Sequence, residues 1–162
     1  MNMKLLKASA GAAAAIAMTV ALMQTPALAA NGHAGKFEGV WDSTVTITNC
    51  ESGVALASFR GFSIFIRGGA TVASNNMPPA SGSPAFGAWH HRHGRHYVDK
   101  FQLFIFGPGG VFVGPRQVTR HITLNRDNNR FVASIRVEDF DTDGNLVHTG
   151  CGTEDAWKVI GR

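Results

Sequence analysis

The alternation of apolar and polar residues along this chain predicts β-strands. Between residues 41 and 48, Trp41, Ser43, Val45 and Ile47 alternate with more polar neighbours, which is the pattern of a half-buried strand. Similar segments follow at short intervals, and no stretch after residue 30 has a clear helical period. The predicted strands are 41–48, 54–60, 62–67 with 71–73 as a possible continuation, 86–93, 96–106, 111–124, 131–140 and 145–160, with a break at Gly61 and bulges at Gly150 and Gly152.

Turn residues separate these strands and set the fold class. Tight turns are predicted at 94–95, 107–110, 125–129 and 141–144, and the proline-containing stretch 74–84 is the one long loop, of the kind that often forms a lid or a binding loop. Sequential strands joined in this way are typical of all-β proteins. We expect a single antiparallel up-and-down β-barrel of about eight strands, with a β-sandwich as the alternative.

The two cysteines favour the barrel. Cys50 follows the first predicted strand and Cys151 lies near the start of the last. In an up-and-down barrel these two strands pair antiparallel, which would bring the cysteines together and let a disulfide fasten the closing seam. A sandwich could also join them, and two free buried thiols are the other possibility.

The head of the first strand resembles a known superfamily. Phe37-x-Gly39-x-Trp41, the β-only meander and the basic C-terminal end are similar to the calycins, which include the lipocalins. No C-terminal helix is predicted, so the chain is more similar to calycin-like or allene-oxide-cyclase-like barrels. The resemblance implies that Trp41 plugs one end of the barrel and that Lys158 or Arg162 packs on it. The G-x-W pattern recurs at 87–89.

The N-terminal residues 1–30 have the features of a cleaved signal peptide. Lys4 and Lys7 precede an apolar run at 8–23, and Ala27-Leu28-Ala29 is a small-x-small cleavage signal; a membrane anchor is the alternative. Cleavage would leave one domain of about 132 residues, 31–162, secreted or periplasmic and without a membrane span. The formal charge of +4 would fall to about +2, which does not indicate a nucleic-acid partner; the oligomeric state is not predicted.

The stretch 89–97, W-H-H-R-H-G-R-H-Y, holds four of the seven histidines. A type II′ turn at 94–95 would pair His93 with His96, Arg92 with Tyr97 and His90 with Asp99. Counting onward pairs Arg120 with Tyr97 and Arg116 with Asp139. The predicted inward residues are Phe62, Ile64, Ile66, Phe86, Ala88, His90, Arg92, Tyr97, Asp99, Phe101, Leu103, Ile105, Phe112, Arg116, Val118, Arg120, Ile122, Ala133, Ile135, Val137 and Asp139; Trp89, His91, His93 and His96 would face outward.

The residues predicted to face inward suggest that the barrel binds a ligand. Phe101 and Leu103 would hold an apolar body, and Arg92, Tyr97 and Arg120 an acidic or enolic head group. We therefore predict binding of a small hydrophobic or aromatic molecule without a cofactor. A structural envelope protein with a filled barrel is a further alternative.

The same residues allow a catalytic interpretation. Asp99 would orient His90 as a base and Tyr97 would stabilise an oxyanion, as in a cofactor-independent isomerase, cyclase or lyase. A metal held by His91, His93 and His96 is the alternative for the outer face. Asp141-x-Asp143-Gly144 lacks the later glutamate of a calcium loop and is read as a turn.

Overall fold

A computed structural model describes residues 34–159; the predicted signal peptide 1–30 lies outside the described residues. A short helix opens this part of the chain, and eight strands follow it. The elements are α1 (Ala34–Phe37), β1 (Gly39–Thr48), β2 (Ala55–Phe65), β3 (Ala70–Asn75), β4 (Ala85–His93), β5 (His96–Phe106), β6 (Phe112–Leu124), β7 (Arg130–Phe140) and β8 (Leu146–Lys158), with 3-10 turns at Pro79–Ser81 and Pro108–Gly110.

The eight strands form a closed barrel in which each strand pairs with its neighbours in sequence. β1 pairs antiparallel with β8, from Trp41 opposite Lys158 to Thr48 opposite Cys151, and this pairing closes the barrel. The predicted up-and-down barrel is therefore confirmed, and the sandwich alternative is wrong. Cys50 and Cys151 form a disulfide at the end of this seam, with their Cα atoms 5.1 Å apart.

The turn residues predict the bounds of the later strands well and those of the earlier strands less well. From β4 onward the predicted bounds agree with the structure to within about two residues. The break at Gly61 is wrong, because β2 runs through it: Gly61 faces inward, and a Cβ there would come within 3.2 Å of Ser43 Oγ. The bulges at Gly150 and Gly152 are also wrong, since both glycines continue the β7–β8 ladder in register.

Aromatic side chains fill one end of the barrel around Phe37, the last residue of α1, which is completely buried. Its ring centre lies 4.4 Å from that of Tyr97, in a stacked arrangement, and 4.1 Å from that of Phe65. The Trp41 indole N–H donates a 2.9 Å hydrogen bond to the carbonyl of Phe37. We call this cluster the aromatic plug; its members are Phe37, Trp41, Phe65, Trp89, Tyr97 and Phe131.

Lys158 covers the outside of the aromatic plug, as the resemblance to calycins implies. Its ammonium lies 5.4 Å from the centre of the Trp41 ring and donates to the carbonyl of Lys36 at 2.9 Å. Gly39 makes room for it, since a Cβ there would approach Lys158 Cε to 3.0 Å and the residue has a φ of 125°. Burial lowers the pKa of Lys158. The barrel is compatible with a calycin-like fold, and Arg162 lies outside the described residues.

Within residues 34–159, no helix is both long and apolar enough to cross a membrane.

Candidate ligand-binding site

A β-bulge in the histidine hairpin decides which side chains of β4 face the interior. His93 pairs with His96 as predicted, but the next pair is His91 with Tyr97, so Arg92 is the extra residue. The predicted pairing of Arg92 with Tyr97 is therefore wrong, and so are the predicted β4–β5 pairs further from the turn, including His90 with Asp99. A one-residue shift reverses the facing of a whole strand. Trp89 consequently faces inward, opposite Asp99.

The bulge separates the residues of the predicted catalytic group. His90 is exposed on the outer surface and pairs with Val98, whereas Asp99 is fully buried inside the barrel. Arg92 is likewise exposed, and Phe86 and Ala88 face outward with it. The expectation that His90 and Arg92 look into the barrel beside Asp99 is wrong, because it assumed an uninterrupted ladder.

The three histidines of the metal alternative do not share one face either. His91 lies against Tyr97, with ring centres 5.2 Å apart, and one of its ring nitrogens is 3.0 Å from the carbonyl oxygen of Gly94. His93 and His96 face each other at the turn, with ring centres 4.8 Å apart. Among residues 34–159 there is no group of three or more His, Cys, Asp or Glu side chains placed to hold a metal ion.

The facing of β2 also differs from the prediction. Phe62, Ile64 and Ile66 are exposed, by 52%, 41% and 43%, and lie on the outside of the barrel. Gly61, Ser63 and Phe65 are buried instead. Hydrophobicity alone predicts the wrong face here because two of the inward positions carry glycine and serine, while the outward positions between them carry large apolar side chains.

The centre of the barrel holds a buried ionic network around Arg120. The Arg120 Nε and Nη2 atoms donate to Asp99 Oδ2 at 2.8 and 2.6 Å, and Nη1 donates to the two oxygens of Glu154 at 3.1 and 3.0 Å. Nη1 also donates to Ser63 Oγ at 3.0 Å, and the hydroxyl of Thr71 donates to Asp99 Oδ1 at 2.7 Å. We call Ser63, Thr71, Asp99, Arg120 and Glu154 the polar belt; each of the five is almost completely buried.

The surroundings of Arg120 keep its guanidinium charged and fixed. Burial by itself would lower the pKa of Arg120, but the charges of Glu154 and Asp99 and their hydrogen bonds outweigh it and raise the pKa. The guanidinium carbon also lies 5.2 Å from the ring centre of Phe65 and 4.8 Å from that of Phe101, on two aromatic faces. Arg120 faces inward as predicted, but its cross-strand partner is Asp99 and the predicted partner Tyr97 is wrong.

Tyr97 belongs to the aromatic plug and not to the other half of the barrel. It is 1% exposed, stacks on Phe37 and pairs with Ile122 across the β5–β6 ladder. Burial raises the pKa of its hydroxyl, so Tyr97 is neutral at physiological pH. The structure therefore places Tyr97 in a different layer from the apolar residues predicted to hold a ligand beside it.

An internal cavity of about 260 Å³ occupies the half of the barrel opposite the aromatic plug. Phe101 and Leu103, which the sequence predicts to face inward, line this cavity. Its walls are otherwise mostly apolar or small, and the polar belt contributes Ser63, Arg120 and Glu154 to its lining. Additional wall residues include Val45, Ile47, Phe59, Ala73, Val118, Ile135 and Val137.

The cavity rim carries an ion pair and part of the predicted long loop. Arg116 donates to Asp139 through Nε at 2.6 Å and Nη2 at 2.8 Å, which confirms the predicted pairing of these two residues. The hydrogen bond to Asp139 raises the pKa of Arg116. Met77 and Ser83 of the loop line the cavity, and the Phe104 backbone N–H donates to Ser83 Oγ at 3.0 Å, which ties the loop to β5.

The histidine hairpin borders a different space, on the outside of the barrel. This groove of about 1060 Å³ is open to solvent and runs across the outer faces of β5 to β8 and β1. Arg92, His93 and His96 lie at one end, and the remaining lining is dominated by threonine, serine and small apolar side chains. The groove lacks the enclosed apolar walls of a small-molecule site, so the internal cavity is the stronger candidate.

Sequence reasoning missed Glu154, Ser63 and Thr71, which complete the polar belt. A signal for Glu154 exists: in β8, Gly152, Glu154 and Ala156 alternate with Thr153, Asp155 and Trp157. The first set faces inward because its small residues suit a crowded interior, and Glu154 is carried in with them. Ser63 and Thr71 give no comparable signal, since hydroxyl residues occupy either face of a strand.

Comparison with protein-family models finds none that matches this chain, and comparison with curated proteins finds no significant match.

Proposed function

We propose that this protein binds a small, largely apolar molecule inside its barrel. The observation that carries the proposal is the internal cavity of about 260 Å³, which lies outside the aromatic plug, is bordered by the polar belt and has Met77 and Arg116 in its lining. Eight-stranded barrels either fill their interior or hold one small ligand. Here one half is filled and the other half is not.

The cavity has the composition expected of such a site. Its walls are mostly apolar or small, and they also include serines, Asn75 and the charged residues Arg116, Arg120 and Glu154. This arrangement buries an apolar ligand while restricting its orientation. The proposal includes an extracellular or periplasmic location, which is supported by the Cys50–Cys151 disulfide and by the signal-like sequence of residues 1–30.

We do not extend the proposal to catalysis. The isomerase, cyclase or lyase alternative needs His90 beside Asp99, and these two side chains lie on opposite sides of the barrel wall. The predicted site for an acidic or enolic head group combines Arg92, Tyr97 and Arg120. These residues lie respectively outside the barrel, in the aromatic plug and in the polar belt.

A neutral, environment-sensitive dye tests the proposal. N-phenyl-1-naphthylamine should become fluorescent on binding the purified protein, with saturation at one dye per chain. Ala73 faces the cavity, so Ala73→Leu should fill part of it and weaken binding by about tenfold or more. Ala70, on the outer face of the same strand, provides the control, and Ala70→Leu should bind the dye normally. Equal binding by the two variants would place the dye elsewhere and refute the proposed site.

A further inference from the structure

We propose that the inner end of the cavity recognises a ligand head group that donates hydrogen bonds, an amine or a hydroxyl, and discriminates against carboxylates. The inference rests on the proposed function and names the ligand class. The recognising residue is Glu154, which lines the cavity from the polar belt. This preference is the opposite of the acidic head group that the arginines in the sequence predict.

The formal charge of the polar belt supports this preference. One guanidinium, that of Arg120, is paired with two carboxylates, those of Asp99 and Glu154. The belt therefore carries one net negative charge, and the Arg116–Asp139 pair at the rim adds none. A second anion placed next to this belt would meet uncompensated repulsion in a medium that screens charge weakly. A cation or a neutral donor would meet attraction.

The hydrogen bonds of the belt lead to the same conclusion. All three nitrogens of the Arg120 guanidinium already donate to Asp99, Glu154 or Ser63, and the Phe65 and Phe101 rings cover its faces. Arg120 is thus committed within the belt and does not point an unpaired N–H fork at the cavity, as bidentate recognition of a carboxylate requires.

Glu154 has acceptor capacity beyond its bonds to Arg120. Its two oxygens share a single donor atom, Arg120 Nη1, at 3.1 and 3.0 Å. A carboxylate accepts about four hydrogen bonds. Glu154 lines the cavity, so we infer that a ligand N–H or O–H bound there reaches its surplus lone pairs. A charge-assisted hydrogen bond of this kind favours an ammonium over a hydroxyl.

Three ligands with the same chain and different heads test the proposal: octylamine, 1-octanol and octanoate, each measured at neutral pH by displacement of N-phenyl-1-naphthylamine and by calorimetry. Octylamine and octanol should bind, and octanoate should bind at least about tenfold more weakly than octylamine. Octanoate binding as tightly as either of the others would overturn the head-group preference while leaving the proposed function intact. Failure of all three and of the dye would instead overturn the proposed function.

A pair of matched variants assigns the preference to Glu154. Glu154→Gln should weaken octylamine by about tenfold and leave octanol within about threefold. Asp155→Asn removes the same charge from the next residue of β8, which faces outward and pairs with Arg130, and should change neither ligand. An unchanged amine-to-alcohol ratio in Glu154→Gln would show that Glu154 is not the acceptor. If that variant does not fold, the three-ligand comparison on the unmodified protein still decides the head-group preference.

Discussion

At the level of single residues, the stability of the barrel interior depends on Arg120. Its side chain and that of Asp99 are 3% and 0% exposed, so neither charge retains its hydration. Burying ions is costly, and removing one member of a buried group leaves the others uncompensated. Among residues 34–159, every buried side-chain nitrogen or oxygen has a hydrogen-bond partner, so removing a donor from the belt leaves a buried acceptor unpaired. The belt is therefore sensitive to substitution.

Arg120→Met should lower the free energy of unfolding by about 3–5 kcal/mol, because Asp99 and Glu154 would remain buried without a counter-charge. Urea denaturation followed by tryptophan fluorescence measures the change. Arg136→Met is the matched control: Arg136 pairs with Glu138 on the outer surface with its side chain 63% exposed, and its loss should have a much smaller effect. Similar losses in the two variants would contradict the importance assigned to the belt.

At the level of elements, the bulge at Arg92 fixes the orientation of β4. It lies next to the turn and lets Trp89 enter the aromatic plug while His90 stays in solvent. Gly87, also inward, lies so close to the backbone of β5 that a Cβ there would overlap Lys100 and Phe101. The register of β4 is therefore restricted both near the turn and further along the strand.

Two single-residue deletions should distinguish what the bulge contributes to stability from what the regular β4–β5 ladder contributes. Deleting Arg92 removes the unpaired residue and leaves a regular hairpin with Trp89 still inward, so the melting temperature should fall by no more than a few degrees. Deleting Ala88 reverses the strand before it, which would turn Phe86 inward and Gly87 outward. That variant should lose its near-ultraviolet circular dichroism signal at ambient temperature. Equal damage from both deletions would show that the bulge itself is needed.

The hairpins show how far the sequence predicts this molecule. Turn residues located β4 to β8 because glycine, asparagine and aspartate mark chain reversals directly. The facing of β4 was missed, since no residue type identifies a bulge. On β6 two errors in the predicted register cancel: the turn after Phe106 is one residue longer than assumed, and a second bulge leaves Val113 unpaired between the pairs Phe106–Phe112 and Ile105–Gly114. Arg120 therefore faces inward as predicted, opposite Asp99 and not Tyr97.

At the level of the whole molecule, the interior is divided along the barrel axis into the aromatic plug, the polar belt and the open cavity. This division depends on all eight strands holding one stagger, because each layer takes side chains from several strands. The sequence predicts the closed meander and the Cys50–Cys151 pairing. It does not predict the layers, because these depend on the relative stagger of strands that are far apart in sequence.

The disulfide holds β1 and β8 in this stagger at the seam where the barrel closes. It joins residues 101 positions apart, and the chain-entropy model gives a cross-link of that span about 4–5 kcal/mol. The double variant Cys50→Ala, Cys151→Ala should therefore unfold at a much lower urea concentration, with its cavity still able to bind N-phenyl-1-naphthylamine under native conditions. Reduction of the unmodified protein is the control and should reproduce the loss, since it opens the same cross-link without changing packing. An unchanged midpoint in both experiments would mean that the β1–β8 ladder alone closes the barrel.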